Sequence, residues 1–161
     1  MSEPTKAKEQ YEKAVKNYAK GKYKKAVKWL RKAADQGYAK AQYSLGAMYA
    51  NGHGVEKSYS EAAKWWRKAA DQGHAGAQYS LGYAYAYGKG VEQSNIKAFK
   101  WWLFAAGRGK PKAQFNLAVR YETGLGVEKN ISEAVNWYRL AAEQGVVAAK
   151  YRLERLEMTN E

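Results

Sequence analysis

The sequence predicts an all-α protein in which helix hairpins stack into a solenoid. Two observations support this prediction. Nearly the same phrase recurs every 36 residues, and each copy holds two stretches with helical spacing of apolar residues, separated by glycines. Residues 41–76 and 77–112 share 20 of 36 positions without a gap. A fixed period of roughly 20–50 residues is the signature of a repeat array.

The repeat continues along the chain as columns of identical residues at the same step. The columns are Trp29, Trp65, Trp101 and Trp137; Ala26, Ala62, Ala98 and Ala134; and Gly37, Gly73, Gly109 and Gly145. One such hairpin cannot bury both of its faces, whereas stacked neighbours can. We therefore interpret the repeat as a packing unit and not as a catalytic motif.

The first helix of a unit is predicted from about Ala41 to Ala50, where apolar residues lie four apart. The following "NGHG" ends this helix, because glycine is a poor helix former and readily adopts turn conformations. Val55 is apolar and recurs in the next two copies, so we predict that it packs beneath the loop.

The second helix is predicted to begin at Ser58, which forms a capping box with Glu61. The same pair recurs at Asn130, and Ser94 retains half of it because a lysine stands three residues later. Gly73 is predicted to end the helix in the left-handed conformation. The buried stripe of this helix is expected to contain Ala62, Trp65, Trp66, Ala69 and Ala70.

The motifs "AQYSLG", "NGHGV" and "AAKWWRKAADQG", within residues 39–150, closely resemble the Sel1-like repeat, a 36-residue relative of the tetratricopeptide repeat. The resemblance implies a right-handed α-solenoid of stacked antiparallel helix hairpins that mediates protein–protein interaction. We expect one repeat domain over 1–161, regular and capped, and therefore an entire folded unit. Its parts are a tetratricopeptide-like N-terminal hairpin (5–38), three Sel1-like repeats (39–74, 75–110, 111–146) and a C-terminal capping helix (147–158).

Residues for catalysis are sparse in this sequence. It has no cysteine and two histidines, His53 and His74, whose columns vary freely and which we expect in exposed loop positions. No nucleophile lies beside a base, and "GKG" at 88–90 lacks the remaining residues of a phosphate-binding loop. We predict that the protein is not an enzyme and holds neither a cofactor nor a metal ion.

The resemblance places the first helix of each unit on the concave side, where a protein or peptide partner is expected to bind. Tyr83 and Tyr87 are the strongest candidates, because the other repeats differ at these positions. For the Tyr43 column, packing against the next repeat is the alternative. Aromatic residues supply contact area and lysines attract acidic groups of a partner. The full candidate set is Tyr43, Asn51, Tyr79, Tyr83, Tyr87, Phe115 and Tyr151, with Lys40 and Lys112 flanking it.

On the outer side, an apolar spot interrupts columns of lysine and arginine. Leu103 and Phe104 stand where the other repeats have basic residues, and Leu140 shares the column of Phe104. An exposed apolar patch of this kind indicates a contact surface, here for self-association. The alternative is a loop or terminus that folds over it.

The formal charge of +13 is unevenly distributed: residues 1–112 carry +14 and residues 113–161 carry −1. Binding of nucleic acid or another polyanion is therefore the alternative function, while lysine-rich helices also keep an apolar chain in solution. The sequence shows neither a membrane-spanning run nor a signal core. We predict a bacterial adaptor, scaffold or immunity-type protein without membrane insertion. We expect it in the cytoplasm, or in the periplasm if a leader preceded the sequence.

Overall fold

The computed structural model describes residues 3–158, which form nine α-helices and contain no strand. The predicted domain of 1–161 includes residues 1–2 and 159–161, which lie outside the described part. The helices are α1 Glu3–Ala19, α2 Tyr23–Asp35, α3 Ala39–Asn51, α4 Tyr59–Asp71, α5 Ala75–Tyr87, α6 Asn95–Gly107, α7 Pro111–Thr123, α8 Ile131–Glu143 and α9 Val147–Met158.

Consecutive helices pair as hairpins: α1 with α2, α3 with α4, α5 with α6, and α7 with α8. Each hairpin then packs on the next through α2 and α3, α4 and α5, α6 and α7, and finally α8 and α9. We call the odd-numbered helices the A helices and the even-numbered helices the B helices. The predicted all-α solenoid is confirmed.

The A and B helices of one hairpin approach closely where glycine meets tryptophan. A Cβ atom added to Gly46 would lie 2.5 Å from the indole of Trp66, and one added to Gly82 would lie 2.5 Å from the indole of Trp102. Each indole therefore occupies the space that a methyl group would need. In the last hairpin, Ala118 shares its buried cluster with the smaller ring of Tyr138.

The loops between A and B helices connect successive hairpins. Gly90 has a φ of +72°, and a Cβ atom there would lie 2.2 Å from the backbone carbonyl of Tyr59. Gly54 and Gly126 make equally close approaches to the starts of α2 and α6. Each loop thus lies on the first turn of the preceding hairpin's B helix, and a side chain at its glycine would separate the two.

The predicted helix caps are correct in one half only. Ser58 caps α4 by accepting a hydrogen bond from the backbone N–H of Glu61, and Ser94 and Asn130 act in the same way on α6 and α8. The reciprocal half of the capping box is wrong at both Ser58 and Asn130. The N–H of Ser58 donates to the carbonyl of Tyr49 at 3.0 Å, and the corresponding N–H of Asn130 is used in the same way. The backbone N–H of the capping residue is therefore not available to the side chain of Glu61 or Glu133.

The end of α4 follows the prediction. Gly73 has a φ of +83° and its N–H donates to the carbonyl of Ala70, while the N–H of His74 donates to the carbonyl of Ala69. These two bonds form a Schellman motif, which satisfies carbonyls that the helix itself leaves unpaired.

A buried glutamine on α3 and another on α7 each join their helix to the two B helices beside it. The Nε2 of Gln42 donates to the carbonyl of Ala34 at 3.1 Å, and its Oε1 accepts from Gln72 at 2.7 Å. The same pairing recurs between Gln114 and Gln144 at 2.8 Å. The amide is therefore satisfied at both ends although it is buried, as polar groups in a core require.

The middle copy of this pairing is incomplete. Gln78 donates to the carbonyl of Ala70, but its buried Oε1 accepts no hydrogen bond from the described residues. Arg108 stands where the other copies have the donor glutamine, and its guanidinium lies against Gly73 instead.

The last A helix is attached by charged groups. The hydroxyl of Tyr138 donates to the carboxylate of Glu122 at 2.5 Å, and Arg152 and Arg155 of α9 donate to the same carboxylate at 3.1 and 2.7 Å. Burial alone would raise the pKa of Glu122. The hydrogen bond from Tyr138 and the two guanidinium charges outweigh burial and lower that pKa below its ordinary 4.5. Glu122 is therefore ionised at neutral pH and holds α9 on the stack.

Candidate protein-binding surface

The side chains of the A helices that lie outside the core share one surface, which we call the A-helix face. It is defined by Tyr43, Tyr79, Tyr83, Tyr87 and Phe115. Tyr79 lies close enough to the other three tyrosines for each of them to influence its ionisation. Burial raises the pKa of the Tyr79 hydroxyl, while its hydrogen bond with Asn116 of α7 opposes that shift. The four tyrosines of α3 and α5 therefore lie near one another, and Asn116 joins Tyr79 to α7.

On this face, the column of Tyr43 packs inward. Tyr43 is half-buried and stacks on His74 of the next hairpin, with ring centroids 4.7 Å apart. Phe115 lies 5.7 Å from Tyr138 of its own hairpin. Tyr151 on α9 is 66% exposed and differs from the others in having no neighbouring A helix beyond it in the described residues.

Tyr83 and Tyr87 are the exposed aromatic groups of this face. They are 45% and 58% exposed, and their ring centroids lie 4.5 Å apart on successive turns of α5. Ala47 and Asn51 stand at the equivalent positions of α3, so the tyrosine pair belongs to one hairpin. A tyrosine pair held in this way offers a large amphipathic contact area at little further entropic cost.

An apolar pocket of about 190 Å³ opens beside Tyr43 at the N-terminal end. It lies between α1 and α3, and Tyr11, Val15 and Tyr18 of α1 contribute to its lining together with Tyr43 and Asn51. The sequence-based candidates include none of the α1 residues, although their spacing of four and three places them on one helical face.

A second pocket, of about 420 Å³, lies between α5 and α7. Its lining includes Tyr87, Asn95, Trp102, Asn116 and Arg120. Arg120 is 9% exposed, donates to Asn95 Oδ1 at 3.0 Å and lies 5.1 Å from the centre of the Trp102 ring. Burial lowers the pKa of its guanidinium, and the neighbouring Tyr87 opposes that shift. Sequence reasoning missed Arg120, although its column otherwise contains Met48 and Ala84.

The predicted flanking lysines, Lys40 and Lys112, are both exposed at the starts of A helices. Burial lowers the pKa of His74, and the positive charges of Lys110 and Lys40 lower it further. The neutral imidazole accepts a hydrogen bond at Nδ1 from the backbone N–H of Ala77, 3.2 Å away, and thereby caps α5. His74 therefore has a structural part in this surface.

The expectation that both histidines occupy exposed positions is wrong. His74 is partly buried under Tyr43, and His53 is partly buried because it stacks on Tyr23 at 4.8 Å, with the hydroxyl of Tyr18 3.5 Å from its Nδ1. Among residues 3–158, no group of three histidine, aspartate or glutamate side chains is arranged to bind a metal ion.

On the B helices, the predicted apolar patch of Leu103, Phe104 and Leu140 is exposed, with Phe104 at 55%. Phe104 makes an edge contact with Trp101, with centroids 5.8 Å apart. Arg67, in the column of Leu103, is engaged in contacts within the protein. Arg67 donates to the hydroxyl of Tyr85 and lies 5.2 Å from the centre of the Trp101 ring.

Comparison with protein-family models identifies four copies of the Sel1 repeat, at residues 18–38, 39–74, 75–110 and 111–146. The protein belongs to the Sel1 repeat family. Sel1 repeat proteins are generally non-enzymatic scaffolds for protein–protein interaction. The first match covers α2 and leaves most of α1 outside it, in keeping with the short turn that joins these two helices.

Solved structures of Sel1 repeat proteins have the same fold. The protein is 38% identical, with a TM-score of 0.85, to c5321, a protective antigen present in uropathogenic Escherichia coli strains that displays an SLR fold. It is 36% identical, also with a TM-score of 0.85, to a Sel1 repeat protein from Oxalobacter formigenes. In each case 89% of this sequence is covered, but only 32% and 59% of the respective relatives.

A more distant likeness is to Helicobacter pylori cysteine rich protein B, with 25% identity, a TM-score of 0.60, and coverage of 79% of this sequence and 96% of that one. No curated protein matches the sequence. None of the helices in the described part of this Sel1 repeat protein has the length and apolar character needed to cross a lipid bilayer.

Proposed function

We propose that this Sel1 repeat protein binds a protein or peptide along its A-helix face and acts as an adaptor, scaffold or immunity-type inhibitor without catalysing a reaction. The observation that supports this proposal is the exposed pair of Tyr83 and Tyr87 on α5. The pair lies near Tyr79 and Tyr43, with one pocket beside Tyr43 and a second beside Tyr87.

The chemistry of this surface favours a protein ligand. Tyrosine side chains dominate binding hot spots because they bury a large area and keep a hydroxyl for hydrogen bonding. An extended segment or a helix laid across α3, α5 and α7 would contact the A-helix face along its length. Lys40 and Lys112 at the edges favour a partner that carries acidic groups.

The proposal is tested by replacing the tyrosine pair. We expect Tyr83→Ala with Tyr87→Ala to weaken partner binding at least about tenfold, because truncation of aromatic hot spots removes most of their contact area. Both side chains are largely exposed, so the helical circular dichroism and the melting temperature should change little. The measurement is a pull-down from native lysate with the protein as bait, followed by titration of the captured partner.

The matched control is Tyr59→Ala, which removes an exposed tyrosine at the start of α4. This control should retain the partner. If the tyrosine pair variant melts much lower than the wild type, the two residues belong to the core and the proposal is wrong.

The pull-down also distinguishes the alternative of polyanion binding. A protein partner should survive nuclease treatment and moderate salt. Capture that disappears with nuclease or salt would assign the binding to nucleic acid, since release of counterions makes such binding strongly salt-dependent.

A further inference from the structure

Arg120 is a charged residue in a column that is otherwise apolar. Its column otherwise contains Met48 and Ala84, which are both buried and apolar. A guanidinium at this position loses most of its hydration, and such a loss is unfavourable unless the charge finds a partner. A methionine would fill the same place without that cost.

No carboxylate of the described residues neutralises Arg120. The ion pairs formed within residues 3–158 join Glu61 and Glu122 to other cations. Arg120 instead donates from Nη1 to the amide oxygen of Asn95, and its positive charge lies over the Trp102 ring. A guanidinium has five N–H groups, so most of its donors are still available in the pocket.

Asn95 is itself a departure from the repeat, since tyrosine or isoleucine stands at the equivalent positions. Two polar residues that replace apolar ones therefore meet in one place, 25 positions apart in the sequence. With its oxygen held by Arg120, the amide nitrogen of Asn95 is a further donor at the same spot. The pocket thus presents a positive charge and hydrogen-bond donors, with the Trp102 ring behind them.

We propose that the pocket between α5 and α7 is a carboxylate-binding site, in which Arg120 binds an acidic group of the protein partner. The site rests on the proposed function, because the pocket borders Tyr87 and so adjoins the A-helix face. Arginine binds a carboxylate through two parallel hydrogen bonds, and a partly dehydrated pocket strengthens them. The carboxylate comes either from an aspartate or glutamate side chain or from the C-terminus of the partner.

The test is a nuclear magnetic resonance titration of the full-length protein labelled with nitrogen-15, following the Nε–H of Arg120 and the indole N–H of Trp102. The probes are acetate and three pentapeptides with an acetylated N-terminus and with tyrosine on both sides of the central residue. The first has a central glutamate and an amidated C-terminus. The second has a central glutamine and a free C-terminus, and the third has glutamine and an amidated C-terminus.

We expect the Arg120 and Trp102 signals to shift saturably with at least one carboxylate peptide, which should bind about tenfold to a hundredfold more tightly than the peptide without a carboxylate. Preference for the first peptide identifies a side-chain carboxylate, and preference for the second identifies a C-terminal one. If neither peptide nor acetate shifts Arg120 at millimolar concentration, the proposal is overturned.

The variant that accompanies the titration is Arg120→Met, which copies Met48 and so keeps the column apolar. It should melt no lower than the wild type and bind all three peptides equally weakly. Lys100→Met removes one exposed positive charge from α6, outside the A-helix face, and should leave the preference for the carboxylate intact. Equal losses in the two variants would indicate diffuse attraction and contradict a specific site. Arg120→Lys provides a second variant if the methionine variant fails to fold.

The two proposals fail in different ways. If the captured protein partner, or the peptide without a carboxylate, depends on Tyr83 and Tyr87 but not on Arg120, the A-helix face binds its partner and the carboxylate site is wrong. If the tyrosine pair makes no difference to any protein or peptide, the proposed function itself fails.

Discussion

At the scale of single residues, Gln78 lacks one hydrogen bond that its equivalents Gln42 and Gln114 make. Its Oε1 is buried and accepts no hydrogen bond from the described residues, because Arg108 replaces the glutamine that supplies the donor in the copies on either side. A buried acceptor left without a donor costs on the order of 1–3 kcal/mol.

We predict that Arg108→Gln raises the free energy of unfolding by about 1 kcal/mol, since the new Nε2 can reach Gln78 as Gln72 reaches Gln42. In a protein of this size the melting temperature should rise by roughly 2–4 °C. Thermal and denaturant unfolding measure the change. Arg139→Gln, at an exposed site on α8, removes the same charge without a buried acceptor nearby and should have little effect. Equal shifts in both variants would assign the effect to charge.

Gly82 shows how tightly the tryptophan is held. Trp102 is 2% exposed and its Nε1 donates to the carbonyl of Tyr79 at 3.1 Å, so the indole cannot move away from a new methyl group.

We predict that Gly82→Ala lowers the free energy of unfolding by about 1–2 kcal/mol. Overpacking of a core costs about 1–3 kcal/mol, and the better helix propensity of alanine offsets up to about 1 kcal/mol of that. Gly107→Ala in α6 is the matched control, because a Cβ atom there meets nothing within 4 Å. The control should be neutral or slightly stabilising in urea unfolding. A neutral Gly82→Ala would show that the helices can separate.

The residues that sequence reasoning missed at this scale make contacts between distant parts of the sequence. A column alignment reveals that Arg120 and Asn95 are unusual, but not that they meet. The capping box failed for a similar reason, since the N–H of Ser58 is already used by Tyr49 across the loop.

At the scale of helices, α9 is attached by charge as well as by packing. Arg152 and Arg155 both bind the carboxylate of Glu122, a residue that stands where the earlier A helices have alanine. The folded state lowers the pKa of this carboxyl. Its contribution to stability is therefore full above the ordinary pKa of 4.5, and is lost as the pH falls below that value through the folded pKa.

We predict that Glu122→Gln lowers the free energy of unfolding at pH 7 by about 1–3 kcal/mol, since hydrogen bonds to a charged group are lost. The variant should also lose less stability than the wild type between pH 5 and 3. Amide hydrogen exchange should show α9 opening first. Glu154→Gln, at an exposed site in α9, is the control and should follow the wild-type pH dependence. If α9 exchanges at the same rate in the wild type and in Glu122→Gln, this attachment is not what holds the helix.

Helices were well predicted because their signals are local. The first helix expected from about Ala41 to Ala50 is α3, Ala39–Asn51, and Ser58 and Gly73 mark the ends of α4 as predicted. The pocket beside α1 was not predicted, because the sequence indicates a tetratricopeptide-like hairpin at 5–38 but not which α1 side chains lie beside α3. Its contribution to the A-helix face depends on the superhelical arrangement and not on local spacing.

At the scale of the whole molecule, the two sides of the stack differ in chemistry. The A-helix face carries the tyrosines and the buried Arg120, whereas the B helices carry lysines and the patch of Leu103, Phe104 and Leu140. We propose that this patch supports self-association, because it exposes large apolar side chains within a basic surface.

We predict that the wild-type protein gains mass with concentration in multi-angle light scattering, and that Phe104→Lys remains at the 18.1 kDa of one copy. Removing the aromatic ring and adding a charge both oppose burial of the patch. Val147→Lys alters an exposed apolar residue at the start of α9 and should leave the association unchanged. An unchanged mass for Phe104→Lys relative to the wild type would reject self-association through this patch.

The charged attachment of α9 also limits how such an array can be lengthened. Glu122 and Tyr138 replace the alanine and tryptophan of the two preceding hairpins, so they suit a position directly before α9 and no other. A duplicated unit inserted before residue 111 would leave Glu122 and Tyr138 in their place directly before α9. The same unit inserted after residue 146 would separate the carboxylate from its two arginines and leave Glu122 buried in the middle of the stack. Growth of the array by duplication is therefore expected upstream of its last hairpin.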